Sequence, residues 1–194
     1  TKMTYTTANW RMPERNVVNL KNCSFRISAD VTVDGTTHGV IACQGGNMAG
    51  WSLYLDDATH PVFHYNWFGH EHYVALGKTR VSPGRHRVVV DFVYDGGFGA
   101  GGDAVLSVDD TPVGAARLDH TVPVVFSMSG ETFDVGLDSG AVVGNYPHVY
   151  RFTGDIHTVT LERLSEPSPE IKAMIADAEF RARSEEHTSE LQSQ

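Results

Sequence analysis

The chain has 194 residues, enough for one domain with a sizeable core, and its 41% hydrophobic and 20% charged residues are typical of a globular protein. Its formal net charge of -9 argues against nucleic acid or an anionic membrane as a partner, because phosphate binding needs clustered Lys and Arg. No apolar run is long enough to span a bilayer, and the N-terminus lacks the basic-then-apolar order of a signal peptide. The missing initiator Met suits a fragment, so the sequence assigns no compartment.

Apolar and polar residues alternate along most of the chain. In residues 24–33, Phe25, Ile27 and Val31 fall on one face and polar residues fall on the other, which predicts a half-buried strand. Similar runs predict strands at residues 38–43, 50–56, 62–68, 86–94, 104–108, 113–118, 133–136 and 156–164. The pattern predicts an all-β fold over residues 1–164, an antiparallel β-sandwich of jelly-roll, concanavalin A or laminin-G type. Its predicted core includes Phe25, Ile27, Trp51, Leu53, Val90, Phe92 and Leu106.

The C-terminal segment has a different pattern. Ser168 and Pro169 fit a helix start, and apolar residues at helical spacing predict one short helix over residues 170–182, within a linker at 165–182. Residues 183–193 match, residue for residue, the in-frame translation of a common DNA-sequencing adapter. We therefore expect residues 183–194 to be a non-native, disordered tail.

Two stretches carry a resemblance to a known family. One is Gln-Gly-Gly-Asn-Met-Ala-Gly-Trp-Ser-Leu-Tyr-Leu at residues 44–55, followed by Val-Phe-His-Tyr-Asn-Trp-Phe-Gly at 62–69. The other is the hairpin at residues 83–97, followed by Leu-Ser-Val-Asp-Asp-Thr-Pro-Val-Gly at 106–114. With shorter motifs at 121–123, 133–136 and 152–154, these resemble the C-terminal region of large bacterial arylsulfatases, over about residues 5–161.

This resemblance implies a non-catalytic accessory domain. Sulfatases use a Cys-x-Pro-x-Arg motif, whose Cys becomes formylglycine, and a calcium ion; the sequences that follow Cys23 and Cys43 do not fit that motif. The resemblance therefore implies no catalytic residue and no cofactor in this chain, with calcium and formylglycine in a catalytic sulfatase domain upstream as its partner in cis. It is also compatible with a bacterial periplasmic or extracellular protein.

The alternative function is a carbohydrate-binding, lectin-like module acting alone. Exposed aromatic rings stack on sugars, and the candidates are Tyr65, Trp67, Tyr73 and Tyr146. The segment 63–68 is also the candidate centre of an exposed interface with the sulfatase domain. The two hypotheses differ in whether a sulfatase domain precedes the chain.

Metal binding is a weaker hypothesis. His70 and His72 have a usable ligand spacing if they lie on a strand, but residues 69–73 also suit an exposed turn. Asp134 and Asp138 fit either an acidic calcium loop or turn capping, and capping is favoured. The two cysteines, Cys23 and Cys43, fit either a disulfide or two free core thiols, and free thiols are favoured.

Overall fold

A computed structural model describes residues 1–192, with side chains at 1–181 and 183–185. Eleven strands and one long helix occur in this range, with one turn of 3-10 helix at Glu14–Asn16. The strands are β1 Lys2–Tyr5, β2 Phe25–Val33, β3 Gly39–Gly45, β4 Gly50–Leu55, β5 Pro61–Trp67, β6 Glu71–Leu76, β7 Gly84–Tyr94, β8 Gly102–Val108, β9 Thr111–Leu118, β10 Phe133–Val135 and β11 Asp155–Arg163, and the helix is α1 Pro169–Gln192. Within residues 1–192, no helix is both long and apolar enough to cross a membrane.

The strands form two antiparallel sheets that pack face to face. One has the order β1-β11-β2-β7-β8-β9, and the other has the order β10-β3-β4-β5-β6. Alternate residues of each strand point into the space between the sheets, where the apolar side chains lose their contact with water. The seven predicted core residues are all buried, each at most 2% exposed. The prediction of an all-β antiparallel sandwich is confirmed.

Two strands, β1 and β6, are not predicted from the sequence, because their alternation of apolar and polar residues is weak. β1 is short and mostly exposed, and it pairs with β11 at the sheet edge. β6 occupies part of the segment treated as an exposed turn; the turn is confined to Trp67–His70, where the His70 N–H donates to the Trp67 carbonyl (3.0 Å). His72 therefore lies on a strand, whereas His70 lies in the turn before it.

The C-terminal helix begins where it was predicted but continues further. It starts at Pro169, with Ser168 Oγ accepting the Ile171 N–H (3.3 Å), and it reaches Gln192 rather than residue 182. No Gly or Pro interrupts residues 170–192, and Glu, Ala, Arg, Leu and Gln favour a helix. The structure assigns helix to residues 183–192, while residues 193–194 lie outside the described range, and the expectation of a non-native, disordered tail stays a prediction. The resemblance to an adapter stays a prediction, which resequencing the 3′ end of the gene would test.

Candidate functional site

The outer face of the five-stranded sheet carries a second apolar cluster. The strand register aligns Cys43, Ser52 and His64 on β3, β4 and β5. The neighbouring row holds Tyr54 and Val62. Their chain neighbours Trp51, Leu53 and Phe63 point the opposite way, into the main core. The alternation of side chains along β4 and β5 therefore assigns one set to the core and the other to the outer face.

A loop crosses this outer face and brings two more tyrosines. The ring of Tyr146 lies 4.8 Å from that of Tyr54, edge to face, and stacks on Tyr150 at 5.2 Å. Val143, from the same loop, is buried against this cluster. We call Tyr54, Tyr146 and Tyr150 the tyrosine cluster. Such aromatic packing stabilises the loop and leaves ring edges and faces at the surface.

Beside the tyrosine cluster lies an open groove of about 310 Å³, here called the outer-face groove. Its strand residues are Tyr54, Val62, His64, Val74 and Leu76, and its loop residues are Asp56, Asp57, Asn145, Tyr146, Pro147 and Tyr150. Val74 and Leu76 are 44% and 46% exposed, so they offer aliphatic surface to a ligand in the groove. The groove thus combines aromatic, aliphatic and hydrogen-bonding surface, the usual composition of a small-ligand site.

The hydroxyl group of Tyr146 is held by two hydrogen bonds to buried side chains. It donates to Asp138 Oδ2 (2.6 Å), and since it has one proton, the Ser52 hydroxyl at 2.9 Å acts as donor to it. Asp138 also accepts the Val143 N–H (3.0 Å). Burial raises the pKa values of both the Tyr146 phenol and the Asp138 carboxyl. The chain Ser52–Tyr146–Asp138 fixes the ring that borders the groove.

The backbone before Tyr150 adopts an unusual conformation. Val149 and Tyr150 have φ angles of 70° and 36°, and a β-branched residue in this region is strained. Two hydrogen bonds hold the segment, from the Asp138 N–H to the Val149 carbonyl (2.9 Å) and from the Val40 N–H to the Tyr150 carbonyl (2.8 Å). The Tyr150 hydroxyl donates to Asp57 Oδ1 (2.7 Å). These hydrogen bonds hold Tyr150 in a position where its ring lines the groove.

His64, which lines the groove, is paired with His72 of the neighbouring strand β6. Nε2 of His64 and Nδ1 of His72 are 2.7 Å apart, so one nitrogen donates a hydrogen bond to the other. His64 is 4% exposed, and burial, followed by the neighbouring His72, lowers its pKa to about 4. His64 is therefore neutral at physiological pH. Its Nδ1 atom has no hydrogen-bond partner within the described part of the chain.

The four aromatic candidates from the sequence do not form one site. Tyr65 is 2% exposed and its hydroxyl oxygen accepts the Val122 N–H (2.9 Å), so its assignment to an exposed sugar platform is wrong. Trp67 and Tyr73 are partly buried against the main core, and Trp67 stacks on His120 at 4.5 Å. Tyr146 alone of the four lines the outer-face groove. Tyr65, Trp67 and Tyr73 have the opposite strand parity from the groove residues, which explains the separation.

The predicted exposed interface at residues 63–68 is also largely wrong. Phe63 and Tyr65 are buried in the main core, and Asn66 is buried against the turn after β3, where its side chain donates to the carbonyls of Gly46 and Asn47. Trp67 and Phe68 are partly exposed and pack against the core cluster.

Metal ligands show a different grouping from the predicted one. Within the described residues, one group of three potential ligands lies within 4.8 Å, formed by Cys43, Asp134 and Asp138. His70 and His72 are not part of it. The carboxylate of Asp134 accepts the N–H groups of Arg11 (2.6 Å) and Ser139 (2.9 Å), so it joins the N-terminal segment to the loop after β10. The choice between turn capping and a calcium loop stays a prediction.

Both cysteines are free and buried, as favoured from the sequence. The Cys43 thiol donates to the Leu137 carbonyl (3.5 Å), and burial raises its pKa well above the ordinary value. Burial also raises the pKa of Cys23 to about 11. Neither residue is a reactive thiolate at neutral pH.

A second cavity, the Trp10 cleft, was missed from the sequence. It measures about 320 Å³ and is lined by Thr7, Trp10, Val135, Gly136, Leu137, Arg151, Phe152, Gly154 and Ile156. Trp10 is 50% exposed, and the guanidinium of Arg11 lies 5.9 Å from its ring centroid. The sequence signal was a lone Trp between polar residues, in a segment without strand periodicity.

Comparisons with known proteins give similarity in structure alone. No protein-family model matches this chain, and no curated protein matches it in sequence. A solved structure titled as the CBM40 of the Ruminococcus gnavus IT-sialidase bound to alpha2,3 sialyllactose shares 15% identity at a TM-score of 0.52, covering 80% of this chain and 83% of its own. A structure of the same module with alpha2,6 sialyllactose shares 16% identity at a TM-score of 0.51, covering 80% of this chain and 84% of its own.

A longer protein with the same kind of fold is also similar. A botulinum neurotoxin type C structure, whose title states that cell entry depends on two ganglioside molecules, shares 14% identity at a TM-score of 0.51, covering 91% of this chain and 39% of its own. At such low identity these likenesses show the fold, a sandwich of jelly-roll type, and no more.

Proposed function

We propose that this chain is a carbohydrate-binding module and that the outer-face groove is its binding site. The observation that carries the proposal is the fixed Tyr146 ring beside exposed Val74 and Leu76, with carboxylate and amide groups at the rim. A sugar ring presents C–H groups on its faces and hydroxyl groups at its edge. Aromatic and aliphatic surface suits the faces, and the polar rim suits the hydroxyl groups.

The structural neighbours support this class of ligand. The sialidase module is described with sialyllactose bound, and the neurotoxin is described as dependent on two ganglioside molecules, so both ligands carry glycans. The support is by analogy of fold, since sites on one fold differ in function. The buried thiols, with raised pKa values, are poor nucleophiles, which supports binding rather than covalent catalysis in this chain.

The second candidate is the accessory domain of an arylsulfatase. It is favoured by the order of sequence motifs, which lie within the sandwich, while the catalytic domain, its calcium and its formylglycine would belong to the sequence upstream. The two candidates are compatible, because an accessory domain can bind glycan. Sequencing upstream of the gene tests it: a Cys-x-Pro-x-Arg motif in the same reading frame supports the sulfatase, and an unrelated domain there contradicts it.

Glycan binding by the purified chain tests the module hypothesis. We expect binding to a panel of immobilised oligosaccharides, and Tyr146→Ala should weaken it at least about tenfold, equivalent to about 1.4 kcal/mol. Trp10→Ala is the matched control, because it removes an exposed aromatic ring from the other cavity. Circular dichroism checks that both variants are folded. Equal binding by the wild type and a folded Tyr146→Ala variant would contradict the assignment of the groove.

A further inference from the structure

The outer-face groove has one sign of charge. Two carboxylates, Asp56 and Asp57, line it, and none of its described lining residues is Lys or Arg. Asp57 is exposed and accepts the Tyr150 hydroxyl hydrogen with one oxygen, so its charge faces the space a ligand would occupy. A ligand in the groove therefore meets negative charge without a compensating guanidinium or ammonium group.

The histidines near the groove do not reverse this sign. His64 is buried and neutral at physiological pH, with its pKa lowered to about 4 by burial. Nδ1 of His60 lies 3.2 Å from Asp56 Oδ2, and His60 is not among the described lining residues of the groove. His72 is hydrogen-bonded to His64 at 2.7 Å. His64 is therefore the one histidine of this group among the described lining residues of the groove, and it is neutral.

Recognition of an acidic sugar is favoured by a cation or by several converging N–H donors. Carboxylates and sulfates are bound best by Arg, whose planar guanidinium donates two parallel hydrogen bonds. In a groove lined by carboxylates, the acidic group of a ligand loses its hydration and is repelled by the like charges of the protein. Proteins commonly use such repulsion to reject a wrong ligand. A neutral sugar meets no such repulsion, and its hydroxyl groups donate well to carboxylate oxygens.

We infer that the outer-face groove selects uncharged sugars and rejects sialylated or sulfated ones. The inference rests on the proposed function and specifies its ligand class. It separates this chain from the sialidase module of similar fold, whose titled ligand is an acidic sugar. In a sulfatase, the groove would hold a neutral part of the glycan rather than the sulfate ester.

Lactose and sialyllactose form a matched pair of probes, because they differ by one acidic sugar. Neutral oligosaccharides that bind in the initial panel, and their sulfated forms, extend the comparison. By titration calorimetry at low salt, we expect the wild type to bind each neutral glycan at least about tenfold more tightly than its acidic form. Asp57→Asn should narrow this ratio several-fold, because the amide still accepts the Tyr150 hydrogen bond but carries no charge. Asp119→Asn, which removes an exposed carboxylate outside the groove, should leave the ratio unchanged.

The outcomes separate this inference from the proposed function. If no glycan binding depends on Tyr146, the proposed function fails. If binding depends on Tyr146 but the acidic glycan binds as tightly as the neutral one or more tightly, this inference alone is overturned. Acidic binding that survives Tyr146→Ala and is lost in Arg151→Ala lies in the Trp10 cleft, and it supports rejection of acids by the groove.

Discussion

The five-stranded sheet carries aromatic residues on both of its faces, and the two sets serve different purposes. On the inner side, Tyr65 and Trp67 pack against the main core; the Tyr65 hydroxyl accepts the Val122 N–H, and Trp67 stacks on His120. On the outer side, Tyr54, Tyr146 and Tyr150 pack on one another and border an open groove. The inner set stabilises the sandwich, while the outer set forms a surface that a ligand can reach. Aromatic content alone therefore does not identify a sugar site; the face on which the ring lies decides.

The largest expected effect is on the inner face. Tyr65→Ala should lower the free energy of unfolding by about 3–5 kcal/mol, because it leaves a cavity and an unpaired Val122 N–H. Tyr146→Ala should cost less, about 1–3 kcal/mol, since Tyr146 is only partly buried. Denaturation with guanidinium chloride measures both. A larger loss in Tyr146→Ala than in Tyr65→Ala would contradict the division of roles between the faces.

Acid should weaken the outer face through His64. Its pKa in the folded protein, about 4, lies below the ordinary value of 6.5, so as the pH falls the unfolded chain takes up this proton first. Stability from this residue is therefore complete above pH 6.5 and decreases as the pH falls toward 4, by up to about 3 kcal/mol. Unfolding free energies across this range measure the effect. His64→Gln should flatten the curve, whereas the exposed His148→Gln should not; equal slopes in both variants would contradict the assignment.

Trp67 tests the difference between the two faces, because it lies on β5 with the groove residues Val62 and His64 but points to the inner side of the sheet. Trp67→Ala should lower the free energy of unfolding by about 1–3 kcal/mol, by removing a partly buried ring stacked on His120. Glycan affinity should stay within about twofold of the wild type, since less than 0.5 kcal/mol is at stake. Chemical denaturation and calorimetry measure the two quantities. A tenfold loss of affinity without loss of stability would instead place the sugar at Trp67.

The smallest effect is expected at the cysteines. Cys23 and Cys43 are buried, unpaired and have raised pKa values, so a thiol reagent at pH 8 should react slowly with the folded chain and with two thiols after unfolding. A reductant should leave the unfolding midpoint unchanged. The absorbance of the chromophore that the thiol reagent releases gives the number of reacted thiols. Rapid reaction of the folded chain, or fewer than two thiols in the unfolded chain, would contradict the free, buried state.

Patterns within single strands predicted the sandwich well. Phe25, Ile27, Trp51 and Leu53 were assigned to the core from alternation alone, and they are buried. β6 was missed because its two faces are both of mixed polarity, so no alternation marks it. The helix was placed correctly at its start, where Ser168 and Pro169 give a local signal. The helix reaches Gln192 rather than residue 182, because residues 183–192 contain no Gly or Pro that would end it.

The sequence by itself determined the fold class, because the alternation of apolar and polar residues within each strand shows which of its faces is buried, and turn residues mark where it ends. It also named Tyr146. The groove itself was decided only by the tertiary structure, since Tyr54, Val74 and Tyr146 come from separate elements that meet through strand register and a loop with strained backbone at Val149. Contacts between residues far apart in sequence depend on which strands pair and which face a loop covers, and no local pattern encodes either choice.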